Sequence, residues 1–457
     1  MASGNIESLI SDCAERADAR LVEVDQCVTG PWATPVTWRQ PIHTVYIPAS
    51  SMGLFSEAED AELIANKWGE EALNTVGLGR DSYITGVTDL AGDLVDNLDE
   101  EQVARIAELT VDKLTKEPIE DLRIDFEDGY TQRGIAPSER DSDEDRHVDA
   151  AVDVMARWVE NDTGPAFFGI RFKSFDPLFR ARGIRTLVAV LSGLHARGVL
   201  ERLYDPAYPS YDPRRLRLTF PKVQSAEQVS ALVELLSQFE STTGLADKGV
   251  KIRFEVQVET PQAIIGTDGQ IEASRTISAA DGRCLSLHYG TYDYSASMGV
   301  DAAEQSMEHA VADQAKDLLQ VVTAGNGIEL SDGSTNRIPV GSEENIRRAW
   351  ALHYRLVTRH LRRGVRQGWD LHPAQLVTRH LATIGYFRSD WELTAERLAA
   401  YVAGDTSTWM DEPATAKAMA GYLSRAFTCG AITSEELARA GVNQEQLARL
   451  HKTGRVG

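Results

Sequence analysis

Eight short apolar runs, separated by stretches of helical character, constrain this chain more than any other feature. The runs fall at 43–48, 122–128, 167–172, 216–221, 252–259, 284–290, 327–330 and 369–373. Helical patterns lie between them, at 143–159, 226–239, 302–322 and 343–363, with Ser225 placed as an N-cap for the second. Strands that alternate with helices in this way build parallel sheets. Eight such units predict an α/β fold, a (β/α)8 TIM barrel. A doubly wound open sheet is the other architecture the pattern allows. The gap 49–121 must hold extra N-terminal helices, and 385–457 reads as a C-terminal helical appendage with helices at 393–401, 414–427 and 434–450. The expected divisions are therefore 1–41, a helical and Pro/Trp-containing loop segment; 42–384, the barrel; and 385–457, the appendage, serving as a cap or an oligomer contact.

The fifth run decides where chemistry would sit. In Phe254-Glu255-Val256-Gln257-Val258-Glu259, apolar and polar residues alternate, so the three polar side chains share one face. The sixth run leads through Gly290-Thr291-Tyr292 to Asp293. On a parallel barrel both runs end at one mouth, where catalytic groups collect. Glu259 and Asp293 meeting there would suit a hard divalent cation such as Mg²⁺, or Mn²⁺ in its place.

Other run ends add candidates. The second run reads Arg123-Ile124-Asp125-Phe126-Glu127-Asp128, with Arg123, Asp125 and Glu127 expected inside the barrel. Buried charges need partners. They are either an ion pair between strands, or Glu127 or Asp128 serves the metal's waters or a proton transfer. Arg171 on the third run faces inward, to clamp a substrate carboxylate or to pair with Asp125 or Glu127. Lys222 could form a Schiff base, though pairing with a carboxylate is the preferred reading. The Gly290-Thr291-Tyr292 turn offers backbone N–H groups to an anion. His288 reads as structural, and His372 as either a general acid or a strand-end hydrogen-bonding residue.

The formal net charge of −22 argues against a nucleic-acid partner or an anionic membrane surface. No run approaches the roughly 20 apolar residues of a membrane span. The first residues are polar and acidic, without an apolar signal core. Cys13, Cys27, Cys284 and Cys429 are scattered, as free thiols in a reducing compartment would be. The expected location is the cytoplasm.

Taken in order, Asp125-Phe126-Glu127-Asp128, Arg171, Phe220-Pro221-Lys222-Val223, Glu259-Thr260-Pro261-Gln262-Ala263, Gly290-Thr291-Tyr292-Asp293 and His372-Pro373-Ala374-Gln375 resemble the citrate lyase beta-subunit-like, or HpcH/HpaI aldolase, family. That family lies within the phosphoenolpyruvate/pyruvate TIM-barrel superfamily, and the resemblance covers about 42–380. It implies Glu259 and Asp293 as Mg²⁺ ligands, Arg171 as the clamp on a 2-oxo acid, and Glu127 and Asp128 as active-site acids. The activity it implies is a metal-dependent carbon–carbon lyase acting on a 2-oxo acid such as pyruvate or oxaloacetate, in a homo-oligomer. Two departures stand out. The stretch between Glu259 and Asp293 is longer than the family leads one to expect, so 267–283 reads as an insertion. Members with a catalytic His after the second-run Glu have Asp128 here, so a His-dependent mechanism is not directly supported. Two alternatives remain open: an acyl-CoA condensing or thioester-hydrolysing enzyme like malate synthase, with the arginine-rich run 359–366 as a CoA groove, and a non-catalytic metabolite-binding scaffold.

Overall fold

The computed structural model describes residues 3–29, 35–36, 38–55, 64–95, 98–208, 211–405, 407–439 and 441–455. Eight parallel strands form its centre: β1 (His43–Pro48), β2 (Asp121–Asp125), β3 (Phe167–Arg171), β4 (Leu216–Phe220), β5 (Phe254–Val258), β6 (Cys284–Tyr289), β7 (Glu329–Ser331) and β8 (Gly368–Asp370). They pair in the order β7-β6-β5-β4-β3-β2-β1-β8. The seam between β7 and β8 is bridged at Ser331 and Gln367. Two hydrogen bonds reinforce it, from Asp332 N–H to the Gln367 carbonyl at 2.8 Å and from Trp369 N–H to the Gly333 carbonyl at 3.0 Å. The fold is a (β/α)8 TIM barrel with extra helices.

Six of the eight strands end sooner than their apolar runs do. β2 stops at Asp125, since Phe126 to Gly129 turn back on its carboxylate. The helix expected at 302–322 begins only at Ala310, where the His309 ring accepts the Val311 N–H; turns occupy the residues before it. Ser225 stands at the N-cap of Ala226–Thr242, but its side chain makes no capping hydrogen bond. The stretch 267–283, expected as an insertion, carries the helix Glu272–Ala279, which lies in the crossover between two neighbouring parallel strands.

Between β1 and β2 lie the helices Ile64–Gly77, Tyr83–Leu94 and Glu100–Lys116. The last opens on a reciprocal Asp99/Gln102 cap, with acids in its first turn and lysines in its last, as the helix dipole favours. Beyond β8, Gln375–Arg388 packs against the helices Glu343–Arg362 and Glu100–Lys116. It is followed by Trp391–Ala403, Pro413–Thr428, Ser434–Arg439 and Gln444–Thr453. The helix expected at 434–450 is thus two helices: Gly441 takes a left-handed φ of 76°, and Asn443 caps the second.

Alternation along the strands separates two environments. Val45, Ile47, Leu122, Ile124, Phe168, Ile170, Leu218, Phe220, Val256 and Val258 join the buried apolar layer. The barrel interior is polar instead. Arg217 pairs with Glu329 at 2.5 Å, and Trp38 donates to the same carboxylate at 2.7 Å. Arg123 joins Asp121 on its own strand, Thr219 on β4 at 3.0 Å and Glu255 on β5 at 2.8 Å. His288 receives a hydrogen bond from Trp369 at Nδ1, leaving Nε2–H, 3.2 Å from Glu255, to donate. Arg123, Asp121, Glu255 and His288 are all fully buried.

Candidate functional site

At the carboxyl ends of the strands, a cavity of about 320 Å³ opens. Tyr46 and Trp369, with ring centroids 5.1 Å apart, form an aromatic wall, and Arg171 stacks over Tyr46 at 4.5 Å. Glu259, Gly290, Thr291, Tyr292, Asp293 and Asp128 also line the cavity.

Asp125 organises one side. Its carboxylate receives Arg171 through two bonds of 2.7 Å, plus the N–H groups of Glu127 and Gly129 at 3.0 and 2.8 Å. A Cβ on Gly129 would lie 2.5 Å from Asp125 Oδ2, so the turn closes only around glycine. Arg171 is therefore fixed in direction by its pair with Asp125. Its Nη1, 3.7 Å from Glu127 and beyond hydrogen-bond length, is the nitrogen left for a ligand.

Glu259 forms the other side. It is 3 % exposed, and Oε2 accepts the Lys222 backbone N–H at 3.0 Å. Its chain runs across Gly290, where an added Cβ would meet Glu259 Cγ at 2.4 Å. Burial pushes its carboxyl up to about 7; Lys222 and Arg171 oppose the shift, and Glu127 and Asp293 add to it.

Lys222 sits between the two sides. Among the described residues it is one of three non-glycine residues with a positive φ, here 52°. Its ammonium lies 2.6 Å from Asp128, 2.8 Å from Glu127 and 3.3 Å from Asp293. Burial disfavours the charge on Lys222, but Glu127 and Glu259 outweigh it and hold the ammonium well above its ordinary range. Glu127 is raised, first by burial, against the pull of Arg171. At Asp128 burial also acts upward, yet the Lys222 hydrogen bond prevails and the carboxyl is lowered. This contact is an ion pair, the preferred reading of Lys222.

Asp128, Glu259 and Asp293 can each bring one carboxylate oxygen to within 4.8 Å of the others. That donor set fits a hard divalent cation. Two observations make the fit more than a cluster of acids. Asp128 and Asp293 already converge on a positive group, the Lys222 ammonium, while Glu259 accepts the backbone N–H of the same lysine, and Gly290 leaves the space that Glu259 needs to point inward.

The remaining candidates divide. Tyr292, in the short helix Thr291–Ser297 that follows β6, accepts the Asn336 N–H at 2.5 Å and so ties that helix to the loop after β7. Thr291 Oγ1 is buried and finds no hydrogen-bond partner among the described residues. His372 does not line the cavity: its Nδ1 accepts the Ala374 N–H, and Nε2 faces Glu71 at 3.8 Å. Asp370 is buried between His43, His353 and Arg379, a hub that fastens β8 to its helices. Around the run 359–366, Arg359 and Arg363 are paired with Asp313 and Asp317 of the neighbouring helix, and Arg366 lies over Tyr386. Sequence reasoning missed Tyr46 and Trp369. Both alternate inward on their strands, which was the available signal.

The fold and this acidic mouth define the class: a (β/α)8 barrel with a cation-suited cluster at the ends of its strands. The chain belongs to the family described as a domain of unknown function, DUF6986, whose model matches residues 21–454. No curated protein matches it in sequence. Among solved structures it is similar to a malate synthase from Haloferax volcanii in a magnesium and glyoxylate complex, 16% identical, covering 75% of each chain, with a TM-score of 0.45. It is also similar to a citrate lyase from Burkholderia xenovorans LB400, 19% identical over 70% of this chain and 87% of that one, TM-score 0.46. A third likeness is to a citrate lyase beta subunit from M. tuberculosis complexed with oxaloacetate and magnesium, 13% identical over 75% and 96%, TM-score 0.37. Among the described residues no helix is long and apolar enough to cross a membrane.

Proposed function

We propose that the protein is a divalent-cation-dependent carbon–carbon lyase that cleaves or forms the bond next to the enolate carbon of a 2-oxo acid. The observation that carries this reading is the convergence of Asp128, Glu259 and Asp293 beside Arg171 in one cavity. Asp128, Glu259 and Asp293 would hold Mg²⁺ or Mn²⁺. Such an ion, when bound, withdraws charge from the keto oxygen of a chelated 2-oxo acid, which is worth several kcal/mol.

The chain's own residues supply the rest. Arg171, locked by Asp125, presents Nη1 to the substrate carboxylate, a charge-assisted hydrogen bond worth about 1.5–3 kcal/mol. Tyr46 and Trp369 keep water off one face of the bound acid. Glu127, whose carboxyl is raised by burial and paired with the Lys222 ammonium, would relay a proton between the bound acid and solvent. The sites of a 2-oxo acid and of a cation are thereby adjacent, as enolate chemistry needs. In this reading the chain works as a homo-oligomer in the cytoplasm.

The test is turnover of 4-hydroxy-2-oxo acids and oxaloacetate with added Mg²⁺ and with a chelator. We expect product only with the cation. Equal rates in both would remove the cation from the chemistry, and no turnover across either class would remove the lyase.

A further inference from the structure

A second cavity, of about 360 Å³, adjoins the first. Glu259 and Asp293 line both, so the two chambers meet at that pair of carboxylates. The volume lies at the small end of the roughly 300–1,000 Å³ range of small-molecule sites. Their linings differ in kind. The first chamber has Arg171; in the second, Lys222 is the one cationic residue of the lining among the described residues, and Glu127 and Asp128 hold its ammonium. A phosphate or a second carboxylate would find no free cation there, and would face Asp176, Glu259 and Asp293.

What the second chamber offers is neutral hydrogen bonding. Gln228 Oε1 accepts the Gln224 N–H at 2.8 Å, which leaves the Gln228 amide nitrogen as a donor. Ser297 donates its hydroxyl proton to the Asp293 carbonyl at 2.8 Å, which leaves its oxygen to accept. Asp176 accepts the Leu178 N–H through Oδ1, keeping Oδ2 for another donor. Phe179, half exposed, adds an apolar edge. Donors and acceptors side by side match hydroxyl groups, which both give and take.

Building on the lyase reading, we infer that the second chamber holds the carbonyl partner as a short, neutral, hydroxyl-bearing aldehyde. Its reacting carbon lies against the Glu259–Asp293 wall and its hydroxyls toward Gln228 and Ser297. In the cleavage direction the C3–C4 bond of a 4-hydroxy-2-oxo acid breaks, and its electron pair passes to the 2-oxo acid as the enolate. The C4 hydroxyl proton leaves to solvent as C4 becomes the aldehyde. A proton taken from solvent at C3 completes the 2-oxo acid. No oxidant or reductant is needed.

The experiment has two arms. Exchange of the methyl protons of pyruvate in D₂O with Mg²⁺ reads the first chamber alone. Condensation of pyruvate with glycolaldehyde and glyceraldehyde, against glyoxylate, succinic semialdehyde and glyceraldehyde 3-phosphate, reads the second. We expect exchange, and at least a tenfold advantage in kcat/KM for the neutral hydroxyaldehydes. Gln228→Arg, and separately the exposed Gln224→Arg, should each narrow or reverse that ratio. Exchange accompanied by equal or better use of the anionic aldehydes, or of none of the five, would overturn the chamber assignment and leave the lyase standing. Absence of exchange would take down both.

Discussion

Two charged layers occupy the same barrel, and they are built to opposite rules. In the lower layer, Arg123 and Arg217 serve Asp121, Glu255 and Glu329, with His288 Nε2 3.2 Å from Glu255. Every one of these side chains is fully buried or nearly so, and each ion has a partner across a strand. At the mouth, five carboxylates, of Asp125, Glu127, Asp128, Glu259 and Asp293, face two cations, Arg171 and Lys222. One acid there, Glu259, is pushed up to about 7, first by its burial. The lower layer is closed by its own chain. At the mouth the acids outnumber the cations, which is the imbalance our proposed cation would offset.

The contrast gives predictions of opposite sign. Arg123→Leu strands Asp121 and Glu255 without a counter-charge, and should destabilise by about 3–5 kcal/mol in urea denaturation. A loss under about 1 kcal/mol would make the lower layer dispensable. Glu259→Gln should do the reverse in cation-free protein. The folded state holds the Glu259 proton more tightly than the unfolded chain, so that stabilisation is complete below the ordinary carboxyl range and is lost as pH climbs through about 7. Removing the charge should therefore raise stability at pH 8 by up to roughly 3 kcal/mol and change little at pH 4. It should also abolish cation binding in calorimetry.

A smaller effect follows from the same proton. Cation affinity should rise by about tenfold per unit as pH increases toward 7, then level off, with about one proton released per ion below that point. Titration in buffers of different ionisation enthalpy reads this directly, and a pH-independent affinity would detach the ion from Glu259. The smallest effect belongs outside the barrel. Arg363 pairs with Asp313 and Asp317 on the surface, so Arg363→Ala should shift stability by less than about 1 kcal/mol.

Much of the barrel could be read from sequence because strand alternation leaves a plain signature. Phe254, Val256 and Val258 outward with Glu255, Gln257 and Glu259 inward is period two, and the structure keeps it. β7 and β8 were less distinct, since three-residue strands carry too little pattern. The meeting of Glu259 and Asp293 in one cavity followed from parallel topology alone. The lysine bridge did not, because a left-handed φ at Lys222 is a product of the turn around it and has no signature in a Phe-Pro-Lys run. For His372 the strand end left two readings, a general acid or a strand-end hydrogen-bonding residue, and the turn into the next helix supplies the second, with Nδ1 accepting the Ala374 N–H. Orientation at a strand end is set by the loop, which sequence spacing does not encode.

The seam between β7 and β8 has a further consequence. Where other neighbouring strands share longer ladders, these two meet through one bridge and two backbone bonds. Amide deuterium uptake within the sheet should begin there, as the barrel breathes along its shortest join. Trp369 belongs both to that join and to the cavity wall. A ligand that touches Trp369 and Glu259 together would act as a staple, and its arrival should be visible as slowed exchange at Asp332 and Trp369 even when no strand moves.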